Sequence, residues 1–175
     1  MKPISATPTE PRHYAGLTAV YGTLAGATAL TAHLRQEDPA PPTVGELALY
    51  GVATAGMSRV IAREKVGAWL RAPFVDEPPT GEREPRGTGA RYAIGELLCC
   101  TRCLGSWSAL TLVALRAIAP RPARVIATLL ALTATNTALQ AAIAEIQARS
   151  RREESAAEAE GVRAERVRQG VPIAG

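Results

Sequence analysis

Aromatic residues make up only 4% of this 175-residue chain, and phenylalanine occurs once. That scarcity argues against a large water-soluble core built on ring packing. Histidine occurs twice and cysteine three times. Neither His13 nor His33 is spaced to complete a four-ligand zinc site with the cysteines of one chain. Paired carboxylates, a Ser–His arrangement, a Walker-type loop and a His-rich metalloprotease motif are all missing. No complete active site can be read, so the sequence leans away from an enzyme. The chain is basic, with a net charge of +4 and a pI of about 9.3. Its arginines are scattered among acidic residues and no basic groove is studded with rings, which argues against nucleic acid as a partner.

What is present is segregation. Mean hydropathy is close to zero, +0.02, yet charges crowd into residues 59–91 and 145–169 and leave long apolar stretches between them. Those stretches are built from Ala, Leu, Val, Thr and Gly, a palette suited to close helix packing in lipid. Tyr14–Leu34 contains no Asp, Glu, Lys or Arg and is long enough to cross a hydrocarbon layer of roughly 30 Å. Within it Gly22 and Gly26 offer a close-packing face, and His33 reads as an interfacial residue. The prolines of the following Arg35–Pro42 stretch break any helix. Thr43 and Glu46 then have the spacing of a capping box and open a second apolar run.

The expected fold is all-α: an integral membrane bundle of about four transmembrane helices. The spans fall at about 14–34, 44–62, 96–118 and 123–144. A flexible N-terminal segment (1–13) precedes them, a polar connection (63–92) joins the second to the third, and a charged tail (148–175) follows. Arg59 snorkels from the end of the second span. The connection divides into an amphipathic half, with Trp69 at headgroup depth, and an irregular Pro/Gly-rich loop over 75–89. Arg102 enters the third span near one end, within reach of the interface. The fourth span carries Thr135, Asn136 and Gln140 as a polar face that hydrogen-bonds to other helices or lines an interior. The tail reads as a solvated helical extension.

An even number of spans puts both termini on one side. That side would hold Lys2, Arg12, the Arg59–Arg91 segment and the arginines of the tail, against only Arg35, Arg116, Arg121 and Arg124 opposite. The excess places both termini in the cytoplasm. Cys99, Cys100 and Cys103 then lie near the cytoplasmic face, where thiols stay reduced.

An ordered series of short motifs runs through Ser58-Arg59, Arg71-Ala-Pro73-Phe74, Arg86-Gly-Thr-Gly89, Gly95-Glu96-Leu-Leu98, Cys100-x-x-Cys103-Leu-Gly105-x-Trp107 and Leu139-Gln140. Over residues 58–147 the chain resembles a bacterial membrane-protein family, domain of unknown function 1360, some of whose members are labelled sporulation proteins. The resemblance implies a bacterial inner-membrane location and carries no established activity. The chain departs from the family pattern where Thr101 replaces a proline between the cysteines and where Cys99 replaces a threonine. The acidic residue that often precedes the Leu-Gln step is also missing.

For Cys99, Cys100 and Cys103 three readings stand side by side: structural packing, a site for zinc or another thiophilic metal, and dithiol redox chemistry. Arg59, Arg71, Pro73, Phe74, Gly95, Glu96, Arg102, Gly105 and Trp107 form a docking motif, with Glu96 expected to pair with Arg102, Arg59 or Arg71. The leading expectation is a non-enzymatic anchor or assembly factor, embedded in the bilayer, that presents residues 63–92 and the tail to a protein partner on the cytoplasmic side. A homo-oligomer is compatible with this. The alternatives are a membrane-bound thiol protein using Cys100 and Cys103, and a small transporter lined by Thr135, Asn136 and Gln140.

Overall fold

The computed structural model describes residues 7–35, 42–79 and 82–168. It is all-α, 83% helical with six helices. In chain order these are α1 (Pro11–Leu34), α2 (Val44–Arg63), α3 (Ala68–Arg71), α4 (Gly89–Cys99), α5 (Thr101–Ile118) and α6 (Pro120–Arg168). A 3-10 turn (Lys65–Gly67) precedes α3, and two short antiparallel strands, β1 (Val75–Asp76) and β2 (Glu84–Pro85), separate α3 from α4.

The helix boundaries follow local chemistry. Pro11 opens α1 at a position where a missing N–H costs nothing. The expected capping box opens α2: Glu46 N–H donates to Thr43 Oγ1 at 3.2 Å, and Thr43 N–H donates to Glu46 Oε2 at 3.3 Å. The expected turn residues 36–41 lie outside the described residues, as do residues 1–6 of the N-terminal segment and 169–175 of the tail.

The contacts divide the chain into two units, Met1–Ala134 and Thr135–Gly175. The first holds two small cores. Ala53, Leu112, Ala127 and Ala131 form one, with Tyr50 and Leu130 packed against them. Ala62, Val75, Leu98 and Leu104 form the other, with Phe74, Ile94 and Cys99 beside them. Alanine dominates because close approach of helix backbones replaces bulk as the source of contact. Large apolar side chains stay exposed instead, including Val20, Leu24 and Leu30 on α1 and Val125 and Leu129 on α6. The second unit is helical, with Arg149 and Glu145 paired at 3.1 Å one turn apart.

By length and composition, α6 carries a stretch, Pro120–Gly161, long and apolar enough to cross a membrane. The bent pair α4–α5 passes the same test when its two helices are taken together. One expectation is corrected: the 96–118 stretch is not one helix, because α4 and α5 meet at 89° across Cys100. A Cβ on Gly22 or Gly26 would meet nothing within 4 Å. Gly89 N–H donates to Pro8 O at 3.0 Å and Thr9 Oγ1 donates to Gly89 O at 3.2 Å, which ties the residues before α1 to the start of α4.

Candidate functional site

A helix ends with four carbonyl groups that have no partner within it. At the C-terminus of α2 those groups are answered largely by arginines from the connection that follows. Arg71 Nη1 donates to Ile61 O and, at 3.1 Å, to Glu64 O. Arg83 Nη1 donates to Ala62 O at 2.6 Å, and its Nη2 to Arg63 O at 3.0 Å. Val60 O accepts the Glu64 N–H at 3.2 Å. Two guanidinium groups thus sit on the negative end of the helix dipole, where cations are stabilised.

Arg71 is completely buried, at 0% exposure, so its charge requires a counter-ion. Glu77 supplies it, accepting from Arg71 Nε at 2.6 Å while also lying 3.4 Å from Arg83 Nε. The hydrogen bond from Arg71 holds the Glu77 carboxyl below the usual glutamate range. Arg71 Nη2 is buried without a partner.

The residues expected as an irregular loop over 75–89 are tied down in the same way. Arg86 grips Asp76 through Nε at 2.9 Å and through Nη2, and its backbone N–H donates to Phe74 O at 2.7 Å. That pairing lowers the Asp76 pKa and raises that of Arg86. Arg91 donates to Pro73 O through Nε at 2.8 Å and Nη2 at 2.6 Å. Asp76 and Glu77 precede the Pro78-Pro79 step, and Arg83 and Arg86, alternating with Glu82 and Glu84, follow it. That pattern was the available signal for a closed, ion-paired loop. Residues 80–81 of the loop lie outside the described residues.

Two glycines permit the close approach. A Cβ on Gly67 would lie 2.6 Å from Val60 O and 2.7 Å from Ile61 O. A Cβ on Gly95 would run into Phe74 O and sit 3.0 Å from Pro85 Cβ. Gly95 therefore lets α4 lie directly on the Phe74 backbone.

Glu96 pairs with none of the three arginines expected for it. It accepts a hydrogen bond from Tyr14 Oη on α1, while Arg59 lies 3.5 Å from Glu64 and Arg71 takes Glu77. The reason is geometric: α4 turns the Glu96 side chain towards Tyr14 on α1. Arg102 is exposed on α5. A Cβ on Gly105 would meet nothing within 4 Å. Trp107 packs edge-on against Tyr21, their ring centroids 5.4 Å apart at 75°. Thus Arg71, Pro73, Phe74 and Gly95 come together, Arg59 reaches their edge through Glu64, and Trp107 packs on Tyr21 instead.

The bend between α4 and α5 centres on Cys100, whose φ of −97° and ψ of 105° leave the helical region. Cys100 is the N-cap of α5, and its Sγ accepts from the Cys103 N–H at 3.3 Å. All three cysteines are free and partly buried. Among the described residues no group of three or more His, Cys, Asp or Glu side chains could hold a metal ion, so Cys99, Cys100 and Cys103 do not form a three-ligand cluster here. Thr135, Asn136 and Gln140 belong to the second unit, where all three are exposed.

Residues 49–143 match the family described as "Protein of unknown function (DUF1360)". A sporulation protein of Bacillus subtilis (strain 168), YjcA, is 31% identical over 94 residues, an alignment covering 49% of this chain and 80% of that protein. No solved structure matches the chain at a significant level. The matched interval contains the α2 terminus, the arginine-latched connection and the cysteine bend.

Proposed function

The chain belongs to the DUF1360 family, and from that premise we propose that it is a multi-pass membrane protein without enzymatic activity, acting as a docking factor for a protein partner. In this reading α1, α2, the bent pair α4–α5 and α6 are the four spans of a bacterial inner-membrane bundle. Both termini and the 63–92 connection face the cytoplasm, following the distribution of arginine. Exposed leucines and valines along α1 and α6 support a lipid-facing exterior.

The observation that carries the proposal is the contrast within the connection. Arg71, Asp76, Glu77, Arg83, Arg86 and Arg91 are held by internal pairing, while Trp69 and Val66 remain 76% and 69% exposed. A rigid segment presenting a large aromatic side chain is pre-organised for binding, because little conformational freedom is lost on association. The name of the Bacillus relative makes spore formation a process in which to look for the partner.

Trp69→Ala should abolish recovery of a cross-linked partner from membranes while leaving carbonate-resistant insertion unchanged. Full recovery with Trp69→Ala would reject the docking surface. Wild-type protein released by carbonate would reject the membrane reading.

A second reading rests on the Cys100–Cys103 contact at the start of α5, where the Cys103 N–H donates to Cys100 Sγ at 3.3 Å. It makes the pair a dithiol that exchanges with the disulfide of a partner protein, which takes up the two electrons and two protons and leaves as a dithiol. Thiol titration before and after reduction of purified protein tests it, and equal titres in every growth condition would remove it.

A further inference from the structure

At the end of the first unit remote from the cysteines, the starts of α2 and α6 meet the end of α5 around an open cleft of about 590 Å³. Its polar rim is formed by Arg116, Arg121, Arg124 and Glu46. Glu46 lies 3.0 Å from Arg124 and 3.6 Å from Arg116, so two guanidinium groups share one carboxylate and, with Arg121, the rim keeps an excess of two positive charges. Arg116 also lies over the Tyr50 ring at 5.9 Å, which fixes its direction. Arg121 is exposed on the first turn of α6, where the helix dipole adds positive potential.

Apart from Tyr50 and Thr128, the rest of the cleft is apolar. Pro120, Val125 and Leu129 line it, and Val125 and Leu129 remain 60% and 61% exposed. These two residues start the apolar stretch of α6 that is long enough to cross a membrane. The cleft therefore places an unneutralised cationic rim directly beside an apolar strip running along the helix. A free phosphate would use the rim and leave the strip uncovered. A phospholipid satisfies both.

We infer that this cleft binds one anionic phospholipid, with its phosphate among Arg116, Arg121 and Arg124 and an acyl chain along Val125 and Leu129. The inference rests on the reading of α6 as a membrane span. Arg121 is the principal ligand, because Arg116 and Arg124 already share Glu46. The site also ties α2, α5 and α6 together through a molecule that only a bilayer supplies.

The test uses the full chain purified in detergent, with native mass spectrometry against phosphatidylglycerol and phosphatidylcholine. Phosphatidylglycerol should be retained in preference to phosphatidylcholine, and the Arg116→Gln/Arg121→Gln protein should hold it roughly thirtyfold more weakly, as expected for two membrane-facing arginines. Arg121→Lys should keep most of the binding and Arg121→Glu should lose it. Equal retention of the two lipids, or phosphatidylglycerol binding unchanged by these substitutions, would overturn the proposal. Displacement of the lipid by millimolar inorganic phosphate would overturn it in favour of a soluble anion. Carbonate extraction of the wild-type chain, run separately, shows whether a failure belongs to this site or to the membrane reading itself.

Discussion

Arg71 is completely buried, and its Nε donates to Glu77 Oε1 at 2.6 Å while its Nη1 reaches two carbonyls at the end of α2. One side chain thereby closes the helix, folds back the connection and places Phe74 beneath α4. Several energetic consequences can be measured.

Truncating Arg71 leaves carbonyls at the end of α2 unpaired and leaves Glu77 with Arg83 alone. Breaking a buried pair of this kind costs about 3–5 kcal/mol, and the part-exposed Glu77 brings the expectation to roughly 2–3 kcal/mol. Arg71→Lys should recover only part of the loss, because an ammonium cannot fork between a carboxylate and two carbonyls. Thermal unfolding in detergent measures both variants, and an Arg71→Ala protein as stable as wild type would disprove the latch.

Gly95→Ala and Gly105→Ala form an internal comparison. The first drives a methyl group into the Phe74 carbonyl and should cost about 1–3 kcal/mol. The second meets open space in the interior of α5 and should stabilise by up to about 1 kcal/mol through helix propensity. Opposite signs are the expected outcome, and equal effects would contradict the close approach of α4 to the connection.

The connection should loosen in acid. Glu77 and Asp76 are both held below their ordinary range by hydrogen bonds from Arg71 and Arg86. A carboxyl whose pKa is lowered by folding stabilises fully above its unfolded value, about 4, and that contribution disappears as pH falls through the lower native value. Proteolysis of the 75–91 segment should therefore be slow and pH-independent from about pH 5 upward, then accelerate below about pH 4. A cleavage rate flat through that range would remove these pairs from the account.

Tyr14 and Glu96 join α1 to α4 across a long sequence separation. Tyr14→Phe and Glu96→Gln should each destabilise, and the double variant should cost less than their sum by about 1–2 kcal/mol. Strict additivity in denaturant unfolding would show that the two groups do not interact.

Much of the helical layout was legible because it depends on neighbours in the chain. Pro11 and the Thr43–Glu46 box mark helix starts by local hydrogen bonding, and the apolar runs have helical length. The bend at Cys100 was less legible: neither proline nor glycine lies between Glu96 and Leu104, and Thr101 is not a proline. There the cysteine acts as an N-cap, and α4 is held down on Phe74 through Gly95 while α5 packs elsewhere. The Glu96 partner was misread for the same reason, since several arginines lay within plausible reach and only the direction of α4 selects Tyr14.

The sequence by itself determined an all-α chain with segregated apolar runs, the family to which it belongs and the residues around which the connection is built. These follow from composition, local propensity and short-range spacing. Only the tertiary structure decided that Arg71 serves Glu77 and the end of α2, that the loop over 75–89 is ion-paired, and that the cationic cleft opens beside α6. Those pairings join residues on separate elements, so their choice depends on how the helices pack and on which charges burial forces to find a partner.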